Sequence, residues 1–183
     1  MILPDEKDSI GLAVGLVNTW DALHDPPDVL DRRMLGILLR WFELEEAADR
    51  LTERDVAAVR RVRDRLRKAF DAANEEDAVA GLNALARQAG AVPQLERANG
   101  DWTFRYGSGR RSLADELAGR ASVALLGVIE EKGWDRFGLC AAAPCCCVYV
   151  DRSRNKSRRY CCELCADRAT QAAARRRKRE AGA

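Results

Sequence analysis

All seven cysteines of this 183-residue chain fall between Cys140 and Cys165, and their spacing limits what that stretch can become. Cys140 and Cys145 form a C-x4-C pair, fifteen residues follow, and Cys161 and Cys165 form a C-x3-C pair. Two short-spaced pairs flanking a hairpin-sized insert bring four thiolates to the corners of one tetrahedron, the coordination Zn2+ takes in closed structural sites. An odd cysteine count fits complete disulfide pairing poorly. The opening residues 1–8 lack the basic region of a signal peptide and no apolar run approaches a membrane span, so a cytoplasmic protein is expected. Clustered cysteines there read as metal ligands. On spacing alone, Cys162 could replace Cys161, and the neighbours of Cys145 could replace Cys145.

The cation expected is one structural Zn2+. From residue 136 onward the large apolar side chains are few: Phe137, Leu139, Val148, Tyr149, Val150, Tyr160 and Leu164. Burial alone does not order so small a module, whereas metal binding contributes on the order of 10–16 kcal/mol. Four thiolates leave no open position for water, which argues against hydrolysis. No Walker loop, nucleophile elbow, H-E-x-x-H or dinucleotide fingerprint occurs, and no enzymatic role is expected. Strand alternation would put Cys147 beside Cys145 and Cys146 on the opposite face. Cys146, Cys147 and Cys162 read as spare small hydrophobes or exposed thiols.

Net charge is +2 but segregated. Residues 136–183 hold 12 Lys/Arg against 4 Asp/Glu, a net of +8, which leaves 19 basic and 25 acidic residues in the rest. A basic module facing a polyanion and an acidic module with other partners would account for this. The candidate phosphate contacts are Arg152, Arg154, Lys156, Arg158 and Arg159 between the cysteine pairs, with Arg168, Arg175 and Arg179 beyond them. At 100° per residue, Arg168, Gln171, Arg175 and Arg179 share one helix face, a stripe that could enter a major groove. DNA is the expected partner, and a non-sequence-specific RNA- or protein-interaction module with a structural zinc site is the alternative. A single module of this kind covers roughly 600–1,000 Å2, so a homodimer or a further partner is expected.

The fold class expected is mainly α. Residues 1–135 read as a helical domain with one β-hairpin, and residues 136–183 as a small treble-clef-like zinc module with four cysteine ligands. Residues 10–20 are apolar at most positions, which suits a largely buried helix or a buried strand. Residues 34–44 make a strongly apolar helix. Thr52 and Ser112 read as caps of helix starts, a further helix is expected to start near Asn74, and Val56, Val59, Val62, Leu66, Ala69 and Phe70 recur at helical spacing behind Thr52. Asn99-Gly100 between residues 94–98 and 102–106 marks the hairpin turn, closed by Gly107-Ser108-Gly109. In the module, residues 146–150 would form one strand, residues 152–157 the turn and residues 158–161 the return strand. Cys165 would open a helix. Asn18 and Thr19 read as capping or core-bonding groups, or as part of a small-effector site. His24 carries no expected ligand role, and Trp20, Trp41, Trp102 and Trp134 read as core and hairpin packing.

The run Cys140, Cys145, Asp151, Ser153-Arg154-Asn155, Ser157-Arg158-Arg159-Tyr160-Cys161, closing with a cysteine that opens a basic helix, resembles the CGNR zinc-finger family. Leu16-Val17-Asn18-Thr19 is similar to the signature opening the ABATE domain that precedes this finger. The resemblance covers nearly the whole chain and is most specific at residues 140–168. It implies that Cys140, Cys145, Cys161 and Cys165 are the ligands. It also implies a bacterial transcription regulator, sometimes described as stress-induced; in such a protein the acidic N-terminal domain is expected to sense an effector or mediate dimerisation. The tetrad naming the family reads here as Cys165-Ala166-Asp167-Arg168. Alanine in place of glycine favours a helix. Aspartate in place of asparagine suits a helix start and would repel a phosphate facing it.

Overall fold

A computed structural model describes residues 3–4, 6–98, 101–106 and 112–181. Seven α-helices and two antiparallel strand pairs are seen among them. Helix α1 spans Ser9–Val17, with Asp8 accepting from the Gly11 amide at 2.8 Å. It is buried along most of its length, which settles the helix-or-strand ambiguity of residues 10–20. Helix α2 spans Arg32–Trp41 behind an Asp31 cap. The apolar run does not continue to residue 44 as one helix, because Glu43 adopts φ 59° and turns the chain into α3, Glu45–Asp49.

Helix α4, Glu53–Phe70, starts on a reciprocal capping box between Thr52 and Asp55, and α6, Leu113–Lys132, on the same device between Ser112 and Asp115. Each satisfies N–H groups that a helix start leaves unpaired. Helix α5, Glu75–Ala89, is capped by Asn74 and stops at Gly90, whose φ of 53° is left-handed. Helices α1, α4, α5 and α6 bury Leu12, Leu16, Leu66, Leu82, Leu117 and Leu125 in one core. Arg63 of α4, itself buried, grips Asp28 with two hydrogen bonds of 2.6 and 3.1 Å and so ties the turn after α1 to the bundle.

Strands β1, Pro93–Ala98, and β2, Asp101–Tyr106, form the expected hairpin, with Leu95 opposite Phe104 and Arg97 opposite Trp102. The Asn99-Gly100 turn and the Gly107-Ser108-Gly109 segment lie outside the described residues. Trp102 packs little, being 65% exposed with Arg97 over its ring, and Trp20 is also exposed. Trp41 and Trp134 are held inward, donating to the carbonyls of Pro4 and Ala69. Among the described residues no helix is long and apolar enough to cross a membrane.

The C-terminal strand pairing differs from the sequence-based expectation. Strand β4, Val148–Val150, pairs with β3, Phe137–Leu139, and not with residues 158–161. The reason lies in the core. Val148 and Val150 are buried in the same apolar cluster as the helices, and the Phe137 ring stacks on Phe70 of α4 at 4.8 Å. Residues 158–161 lie instead in a loop, where the Arg158 carbonyl accepts from the Tyr149 hydroxyl, the Arg159 carbonyl from the Ala141 amide, and the Tyr160 and Cys161 carbonyls from the Arg158 guanidinium. Helix α7, Glu163–Ala181, completes the chain and contains a single buried residue, Cys165.

Candidate metal centre

Two of the four candidate ligands come from the turn joining β3 to β4. The Cys140 amide donates to the Cys147 carbonyl at 2.9 Å, and the Cys145 amide to the Ala142 carbonyl at 3.0 Å, so the turn folds back on itself with Cys140 and Cys145 inside. Gly138 just before it is held against Tyr149, whose ring fills the space a Cβ would take. The Tyr149 hydroxyl donates to the Arg158 carbonyl at 2.8 Å and so draws the following loop over the sheet.

That loop brings in the other two ligands. Asp151 is only 3% exposed, accepting from the amides of Ser153 and Arg158, both at 2.8 Å. Burial pushes its carboxyl pKa up, but those hydrogen bonds and the charge of Arg136 outweigh burial and hold it below the usual carboxylate range. Ser153 Oγ accepts from the Ser157 amide at 3.0 Å. The D-x-S-x3-S part of the motif is therefore a loop framework, with short polar side chains standing in for backbone partners. Beyond it the Arg159 carbonyl accepts from Ala141 at 2.9 Å, which sets Cys161 against Cys145. Cys165 arrives in the first turn of α7, where the helix dipole favours a thiolate.

All four Sγ atoms lie within 4.8 Å of one another. Cys161 Sγ is 3.8 Å from Cys145 Sγ and 3.6 Å from Cys165 Sγ. Sulfurs about 2.3 Å from one tetrahedral Zn2+ stand about 3.8 Å apart, so the donor set fits that ion. All seven cysteines are free thiols. Burial pushes Cys165 up to about 12, with hydrogen bonding to Cys161 adding to it. Burial likewise raises Cys145, and a hydrogen bond to Cys147 followed by burial raises Cys161. Cys140 is also pushed up by burial, but backbone hydrogen bonds from Cys161 and Ala142 win and lower it. Four crowded thiols that resist joint ionisation are what a cation at their centre would resolve.

The candidate basic contacts divide in two. Arg152 pairs with Asp8 at 2.7 Å, and Lys156 with Asp135. Arg158 donates to the carbonyls of Tyr160 and Cys161 at 3.1 and 2.6 Å. Arg168 donates to the Ala142 carbonyl at 2.6 Å and to Cys165 Sγ at 3.5 Å, so the stripe expected from helical periodicity loses its first member to the metal centre. Arg154 and Arg159 are exposed, as are Arg175 and Arg179 with the intervening Arg176, Arg177 and Lys178. Helix α7 is 19 residues long, about 28 Å at ~1.5 Å per residue, and its distal half carries this charge.

Sequence reasoning missed what joins the two halves. Asn18 donates to the Val148 carbonyl at 2.9 Å and accepts from the Val148 amide at 2.7 Å. Arg67 of α4 donates to the Cys146 carbonyl at 2.8 Å. Thr19 is buried and caps α1 through the Leu16 carbonyl at 2.7 Å. The polarity of Asn18 at the end of an apolar helix was the available signal; its partner lies 130 residues away. A cavity of about 360 Å3 remains between α1, the turn after it and the cysteine module, lined by Ile10, Val14, Asp21, Tyr149, Arg158 and Leu164 among others.

A strand-turn-strand and a helix start converging four thiols define a treble-clef-like zinc-finger protein with a helical N-terminal domain. Residues 11–129 match the ABATE family model, described as "Putative stress-induced transcription regulator", and residues 136–178 match the CGNR zinc finger. The chain belongs to the ABATE family and carries a CGNR zinc finger at its C-terminal end. No curated protein matches it.

Proposed function

We propose that the protein is a cytoplasmic, non-enzymatic transcription regulator that grips DNA through its finger, with one structural Zn2+ held by Cys140, Cys145, Cys161 and Cys165. The observation carrying this reading is α7. A helix that buries only Cys165 yet presents Arg175, Arg176, Arg177, Lys178 and Arg179 to solvent has no packing role that would account for its charge. Arg154 and Arg159 add to it from the loop, which meets α7 across the 140–145 turn. Arg152, Lys156, Arg158 and Arg168 act in this reading as braces for that surface. The helical domain supplies effector sensing, at the cavity against the finger, or dimerisation.

One observation favours the alternative of a sequence-indifferent RNA or protein contact. With Arg168 turned inward and Asp167 exposed at the helix start, few groups are left there to read base edges. Selection of bound sequences from a random DNA pool by the zinc-loaded protein tests both. A recovered motif supports regulation by site. Retention that falls steeply with salt and returns no motif supports the generic polyanion reading, and no retention at moderate salt contradicts both nucleic-acid readings.

A further inference from the structure

Cys147 is not among the four zinc ligands, yet it lies against them. It packs in the same buried cluster as Cys140, Cys145 and Cys165, and Cys145, Cys147 and Asp21 bring ligand atoms within 4.8 Å of one another. All three residues are 7% exposed. Asp21 belongs to the turn after α1. Its amide donates to the Pro27 carbonyl at 2.8 Å and its Oδ1 accepts from the Leu23 amide at 3.0 Å. Those bonds fix the carboxylate so that it faces the finger. Oδ2 lies 3.6 Å from His24 Nε2.

A buried carboxylate beside a thiolate cluster is an electrostatic problem. Four thiolates around one divalent cation carry a net −2, and Asp21 adds to it in a poorly solvated place. The guanidinium groups lining the same cavity are turned elsewhere: Arg152 to Asp8, Arg158 to the carbonyls of Tyr160 and Cys161, Arg168 to Ala142 and Cys165. A second divalent cation held by Asp21 and a Cys147 thiolate would be neutral with them.

We propose that Asp21, Cys145 and Cys147 form a second metal site for a thiophilic divalent cation such as Zn2+ or Cd2+, fused to the zinc tetrad through a bridging Cys145 thiolate. Metal–sulfur and metal–oxygen bonds of about 2.3 and 2.1 Å put neighbouring donors roughly 3.5–3.8 Å apart. The three groups need close up by only about 1 Å, within the reach of rotamer adjustment. The Cys147 thiol gives its proton to water as the metal–sulfur bond forms. The remaining coordination position faces the cavity, at whose edge His24 stands. Because Asp21 comes from the helical domain and the cysteines from the finger, the cation ties the two together, and its availability is a signal that the regulator could report. This deepens the proposed function and rests on the tetrad being a zinc site.

The test is metal stoichiometry of the full-length protein equilibrated with excess Cd2+ and then freed of unbound ion. Two equivalents per chain are expected for the wild type. One is expected for both Cys147→Ser and Asp21→Asn, the latter preserving side-chain shape if the former folds poorly. A single equivalent in the wild type overturns the second site and leaves the tetrad standing. No bound metal sinks both, and two equivalents retained in Asp21→Asn overturn the assignment of the ligands.

Discussion

The side-chain amide of Asn18 takes the place of a neighbouring strand at Val148, bonding both its N–H and its C=O. An alanine there leaves two backbone groups of a buried strand without partners. Asn18→Ala is therefore expected to destabilise the metal-loaded protein by about 2 kcal/mol in urea unfolding. A loss below about 0.5 kcal/mol would mean that water replaces the amide and that the clamp is incidental. Ligand choice is also tested at this scale. Cys161→Ser is expected to abolish tetrad binding while Cys162→Ser keeps it, because Cys161 Sγ is the atom within 3.8 Å of Cys145 and 3.6 Å of Cys165. Metal analysis of the two variants checks this, and full occupancy in Cys161→Ser contradicts it.

At the scale of elements, the β3–β4 pair depends on one missing Cβ. Gly138→Ala drives a methyl group into the Tyr149 ring and so strains the bond from its hydroxyl to Arg158. A cost of about 2 kcal/mol, seen as a lowered Tm with metal saturating, is expected. An unchanged Tm would show that the ring moves freely. Local signals served well for the helices. Thr52, Asn74 and Ser112 cap α4, α5 and α6 because capping is decided within four residues. The cysteine spacing likewise announced a four-thiolate site, since the separations within each pair are set by local turns. Strand partnership was not legible, because β4 is placed by its burial against α1 and β3 by the stacking of Phe137 on Phe70 of α4, which no local pattern records. Nor was the inward turn of Arg168: periodicity assigns a face of α7, and only the tertiary position of the 140–145 turn decides which arginines on that face are occupied.

For the whole molecule, the finger is braced to the helical domain at Asn18–Val148, Arg67–Cys146, Arg152–Asp8 and Phe70–Phe137. Metal binding thus bears on one shared core, and thermal unfolding is expected as a single transition that shifts down as a whole on chelation; two separated transitions would contradict this. The raised pKa values of Cys145, Cys161 and Cys165 fix the sign of the pH dependence. These groups are protonated at neutral pH and must release protons to bind. Apparent zinc affinity should rise steeply with pH below pH 8, and a flat profile in competition titrations would show that the thiolates are already formed. In the proposed function this braced body, pinned by zinc, holds a basic helix out to DNA. Salt dependence of DNA binding tests it most directly, comparing the wild type with a variant in which Arg175, Arg176, Arg177, Lys178 and Arg179 are all glutamine. A steep decline of log affinity with log salt is expected for the wild type, and a slope shallower by up to about 4.5 for the variant with metal content unchanged. Equal slopes for the two proteins, or no binding by the wild type at low salt, would contradict it.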